Sequence, residues 1–99
     1  KISFKKALKK AFSFISTSKF GIEIDCDAIQ NIASSAQTPS GFSVNQTRQF
    51  IHHFGSQRDA IYLHICEAAV GEDDPKNNEQ IGKLLSYLII DFINAKRTV

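Results

Sequence analysis

Two short apolar stretches, "GIEIDCDAI" and "AIYLHIC", are separated by a segment with a helix start signal, and that spacing limits the folds open to this chain. In the first stretch Ile22, Ile24 and Cys26 alternate with Glu23, Asp25 and Asp27, a period of two that predicts a strand over residues 20 to 28. The second, residues 60 to 66, is apolar almost throughout, which predicts a strand buried on both faces. Between them Ser43 and Gln46 form the Ser-x-x-Gln pattern of a reciprocal cap, and Gly55 offers a stop. Strands alternating with helices favour parallel pairing through a right-handed crossover. Two parallel strands make a poor sheet alone, so this segment is expected to dock against more sheet or to dimerise.

Helices flank the pair. Phe4, Leu8, Phe12 and Ile15 recur at helical spacing and predict a helix over residues 3 to 17, closed by Ser16, Thr17 and Ser18. Lys1, Lys5, Lys6, Lys9 and Lys10 surround that stripe and read as its solvated face. A last helix is expected over residues 77 to 96, with Ile81, Leu84, Leu85, Leu88 and Phe92 facing the core. Asp74 and Pro75 suit its entrance, Asp as the cap and Pro at the first position. Residues 29 to 42 form a long irregular loop, and loops longer than about 12 residues in compact domains are often functional. The order is helix, strand, helix, strand, helix: an α/β fold, one flank of a three-layer sandwich, read as a single partial domain over residues 1–99.

Composition removes several function classes. The chain has 99 residues, 42% hydrophobic and 22% charged, which is ordinary globular material. Its net charge of +2 is too small to imply nucleic acid, and no run approaches the 18 or so apolar residues of a membrane span. No Gly-rich phosphate loop follows either strand. The absence of Met and of a signal-like start reads as a processed or excised segment. Cys26 and Cys66 sit in apolar runs, which suggests buried thiols in a reducing cytoplasm rather than a disulfide.

In parallel α/β sheets ligands bind beyond the carboxyl ends of the strands. Both expected strands end in acid there: Asp25 and Asp27 in the first, Glu67 just after the second. Two aspartates two apart in a strand share a face. Three carboxylates converging at one sheet edge repel unless a cation neutralises them, and hard oxygen ligands suit Mg²⁺ or Mn²⁺. The same Asp-x-Asp also serves to cap loop amides. A phosphoacceptor site of the response-regulator type needs an Asp on another strand and a Lys at a strand end, neither of which is placed here. His52 and His53 are adjacent on a helix and read as surface or boundary residues. His64, mid-strand among apolar neighbours, reads as a satisfied core histidine pointing away from Glu67.

The succession "EIDCDAI", "SSAQTPSGFS", capped helix, apolar strand, "CEAAV" and long last helix resembles the C-terminal third of the ureohydrolases: arginase, agmatinase and formimidoylglutamase. The resemblance covers roughly residues 19 to 96. It implies a C-terminal fragment of a three-layer αβα arginase-like fold and a hydrolase of linear amidine or guanidino C–N bonds. It further implies two manganese ions in the complete enzyme, with Asp25 and Asp27 as metal ligands. Glu67 matches the family's carboxylate that meets a guanidino or formimino small-molecule substrate, and Thr38 matches the threonine beside the pocket. The departures are specific. Gln30-Asn31 stands where many members have Asp-Pro, "SSAQ" replaces a Gly-rich approach, "EAAV" replaces an Asn-Pro, and Glu23 adds a fourth acid. The family's Asp-x-His-x-Asp segment is absent from these 99 residues. The isolated chain is therefore expected to be inactive, to need a missing N-terminal part or a homo-oligomer, and to hold only part of a metal site. The alternative is a non-catalytic α/β interaction module or an inactive relative.

Overall fold

The computed structural model describes residues 3–15, 18–32, 40–69, 71 and 73–98. Within these the element order is as expected: α1 (Phe4–Ile15), β1 (Phe20–Asp25), α2 (Val44–Gly55), β2 (Ala60–Cys66) and α3 (Pro75–Lys96). Local chemistry explains most of the boundaries. Ser43 caps α2 through the full reciprocal box, its Oγ accepting from Gln46 N–H while Gln46 Oε1 accepts from Ser43 N–H, both at 3.0 Å. Asp74 caps α3, with Pro75 at the first turn, where the missing N–H costs nothing.

β1 and β2 pair in parallel, with Ile22 opposite Leu63, Glu23 opposite His64, Ile24 opposite Ile65 and Asp25 opposite Cys66. The register shifts between Phe20, opposite Ala60, and Gly21, opposite Tyr62, which leaves Ile61 as an extra residue in β2. One sheet face meets the helices. Ile22, Ile24 and Ile29 pack with Leu8 of α1, Ile51 and Phe54 of α2, and Ile81, Leu84 and Leu88 of α3. The described lysines of α1 stay in solvent. An ion pair ties α2 to α3: Arg48 donates twice to Asp91, at 2.7 and 3.0 Å, and its guanidinium lies 5.1 Å from the centre of the Tyr87 ring.

Three expectations need correction. β1 ends at Asp25, not residue 28; Cys26–Ala28 form a 3-10 turn, because the Asp25 carboxylate captures the Asp27 N–H and bends the chain. β2 is buried on one face only, since no described element covers Tyr62 or His64, and Ile61 is bulged outward. Gly55 is the last helical residue but supplies no left-handed stop, for no glycine described has a positive φ. Its value lies in packing: a Cβ there would meet Phe92 at 3.1 Å and Ala95 at 3.2 Å, so the bare backbone lets α3 close on α2.

The loop after β1 is pinned at its ends. Ile29 and Phe42 form an isolated parallel bridge, with Gln30 N–H donating to Phe42 O and Phe42 N–H to Ala28 O, both at 2.9 Å. No helix is long and apolar enough to cross a membrane among the described residues.

Candidate metal and substrate site

The acids singled out from the sequence gather at the carboxyl end of the parallel pair. Asp25 stands opposite Cys66, so Glu67 follows one residue beyond it on the neighbouring strand. Asp25 Oδ1 accepts from Asp27 N–H at 2.9 Å, and the two carboxylates therefore extend from a tight turn instead of from one strand face. Asp25 and Glu67 are exposed, and Asp27 is half-buried. Thr38 lies outside the described residues.

Glu67 is held in a left-handed conformation at φ 65°, which a non-glycine residue adopts at a cost of order 1–3 kcal/mol. Such strain concentrates where a side chain must be aimed, and here it falls on the acid that closes β2.

The thiols record the local field. Burial pushes the Cys26 thiol up to about 11, and the charges of Cys66, Asp25 and Asp27 add to the effect. Cys66 is raised too, first by loss of solvent and then by Asp25, Glu67, Glu23 and Asp27. Four carboxylates thus act on one sulfur at the strand ends, and both cysteines are free thiols, Cys26 buried as expected and Cys66 only half-buried. A thiol whose pKa is raised is a poor nucleophile. This concentration of negative charge suits a cation.

Asp25 and Asp27 carry hard oxygen donors of the kind Mn²⁺ takes, and the Asp25 carboxylate also accepts the Asp27 N–H in the turn. Two carboxylates alone would not complete a coordination shell. Among the described residues no group of three or more His, Cys, Asp or Glu is placed to hold a metal ion.

The histidines divide. His52 is exposed. His53 lies edge-on between Phe12 and Phe54, and its Nε2 is buried with no hydrogen-bond partner. His64 is the opposite of a core histidine. It is exposed on the uncovered face, its Nδ1 2.8 Å from Glu23 Oε1. That bond holds the Glu23 carboxyl below its ordinary range, and the nearby Tyr62 hydroxyl adds to the effect. Sequence patterning marks Glu23 as one more acid and misses this partnership, although the spacing of Glu23 and His64 in the two strands is a signal for it. It misses also the cleft of about 100 Å³ beside Asp25, where Phe4, Phe42 and Phe50 form apolar walls with Glu23 and Asp25 at the rim.

No protein-family model matches the sequence, and no curated protein matches it. Solved structures do. The Entamoeba histolytica arginase, crystallised with L-ornithine, superposes with a TM-score of 0.74 at 20% identity over 93% of this chain and 31% of its own. The fold is arginase-like. The Trypanosoma cruzi formiminoglutamase, in an oxidized form with Mn²⁺, gives the same TM-score at 14% identity over 91% of this chain and 31% of its own. At these identities the likeness is one of fold. The chain thus spans about a third of the length of the structures it matches, the share a C-terminal fragment of the arginase-like fold would occupy. The described residues build the sheet pair and the helical layer on one face of it.

Proposed function

We propose that the protein carrying this chain is a manganese-dependent hydrolase of C–N bonds in guanidino or formimino substrates. The observation that carries the reading is the register of β1 and β2. It puts Asp25 and Asp27 at one strand end and Glu67 one step beyond on the next, within an arginase-like fold. One of the two similar structures was solved with Mn²⁺ and the other with the small amino acid ornithine.

Asp25 and Asp27 would hold the metal through carboxylate oxygens, the remaining ligands coming from outside the described residues. The ions, when bound, supply Lewis acidity and lower the pKa of a water. Glu67, exposed at the strand end, orients the cationic end of the substrate by charge-assisted hydrogen bonds. The chain alone is inactive on this reading, and the complete protein works in the cytoplasm, as a homo-oligomer or with its own N-terminal part docked.

Asp27→Ala in the complete protein tests it. Metal-dependent turnover is expected to vanish, and unchanged turnover with bound manganese rejects the assignment. The lack of a three-ligand cluster among the described residues favours a second reading, a non-catalytic α/β module. That reading requires that the complete protein bind no manganese, which elemental analysis decides.

A further inference from the structure

The parallel pair must be held in one register, and its core face does not exclude every wrong one. A slip by one residue turns every side chain of a strand to the other face. It would send Leu63 and Ile65 to solvent and bring Tyr62 and His64 against the helices, so hydrophobic burial forbids odd slips. A slip by two keeps every face. In one direction it exchanges one aliphatic pair for another, Ile24 opposite Leu63 instead of Ile65, and such swaps cost little; in the other it sets Glu67 opposite Ile24 on the core face. The irregularity between Phe20 and Gly21 loosens the start of the ladder further.

The uncovered face does discriminate. The Tyr62 ring occupies the space over Gly21, where a Cβ would fall 1.9 Å from its atoms. Glu23 accepts from His64 Nδ1 at 2.8 Å directly across the ladder. Sliding β2 by two residues in one direction sets Cys66 opposite Glu23. In the other direction it sets Tyr62 on Glu23, which has the Cβ that Gly21 lacks.

We propose that Tyr62, Glu23 and His64 form a register lock, and that its purpose is to place Glu67 relative to Asp25 and Asp27. The second half of the proposal rests on the manganese hydrolase reading above. A slip of two moves Glu67 by roughly 6.6 Å along the sheet, twice the rise per residue. A misplacement of about 1 Å in a reacting geometry can already cost roughly 100-fold in rate. Glu23 and His64 are positioning residues here. They act through the strands and stay out of the chemistry.

The test compares Glu23→Ala, His64→Ala and the conservative Glu23→Gln in the complete protein. Amide exchange of Ile24 and Asp25, manganese affinity by titration, and kcat and KM are measured. Both alanine variants are expected to lose exchange protection at β1 while the amides of α2 and α3 keep theirs. KM should rise by about tenfold or more with manganese affinity little changed, because both metal ligands lie on the β1 side of the pair. Glu23→Gln keeps an acceptor for His64 and should retain the parent's exchange protection at β1. A general loss of stability would move helix protection and metal affinity together, and that pattern overturns the lock. Alanine variants with wild-type protection and KM overturn it also. A parent protein that binds no manganese rejects the hydrolase reading instead, and the exchange measurement then decides the lock by itself.

Discussion

Asp25 and Asp27 are joined by a hydrogen bond, the Asp25 carboxylate accepting the backbone N–H of Asp27 at 2.9 Å. The Asp-x-Asp is therefore both a turn and a pair of acids. Its two roles separate by substitution. Asp25→Asn keeps the oxygen that caps the turn and removes the charge. It should leave unfolding in denaturant unchanged while weakening manganese binding of the complete protein by tenfold or more. Asp25→Ala removes the cap as well and should cost about 1 kcal/mol of stability. Equal metal affinity in the Asn variant and the parent would show that the motif is a turn only.

Glu67 offers the converse separation. Its φ of 65° is one that Asn adopts more readily than Glu. Glu67→Asn is expected to fold at least as stably, with a gain of up to about 1 kcal/mol from relieved strain. On the proposed hydrolase reading it loses the charge that would meet a cationic substrate, so KM should rise by about tenfold or more, the scale of one charge-assisted hydrogen bond of roughly 1.5–3 kcal/mol. Thermal unfolding and steady-state kinetics on one preparation check both halves. A destabilised variant with normal KM would mean that the strain serves the fold.

His53 is a site where polarity costs stability. Burial between Phe12 and Phe54 lowers its pKa from the ordinary 6.5, with Lys9 and His52 adding to the effect. A histidine lowered in the folded state binds protons more readily when unfolded. Its contribution is thus fully present above the unfolded value and lost as pH falls through the folded one. Unfolding free energy should therefore decline from about pH 6.5 downward, the window set by the unperturbed histidine. His53→Phe removes the unpartnered Nε2 and should add about 1 kcal/mol while flattening that decline. Denaturant melts at several pH values measure both effects. An unchanged slope would assign the pH dependence to other groups.

How much of the fold is legible in the amino-acid sequence follows the range of the forces. The Ser43–Gln46 box, the Asp74–Pro75 entrance and the helical stripes of Leu8 and Leu88 involve residues a few positions apart, and each appears as expected. The period of two in "GIEID" marks the strand and its buried Ile22 and Ile24. It also misleads, because the same alternation continues to Asp27 while the Asp25 side chain ends the strand at its own position. Reading β2 as doubly buried fails for another reason. An apolar run tells that burial is available, and only the neighbouring elements decide which faces receive it.

His64 shows the same division. Beside Leu63 and Ile65 it has the setting of a core residue, yet its side chain lies 2.8 Å from an acid 41 positions earlier. By itself the sequence determined the elements, their order, their caps and the acids at the strand ends, because those depend on neighbours within a turn or two. The tertiary structure decided which face of the sheet is covered, which residues stand opposite one another, and hence that Glu67 comes to rest one step beyond Asp25. Those are relations between distant segments, set by a register that local propensity does not encode.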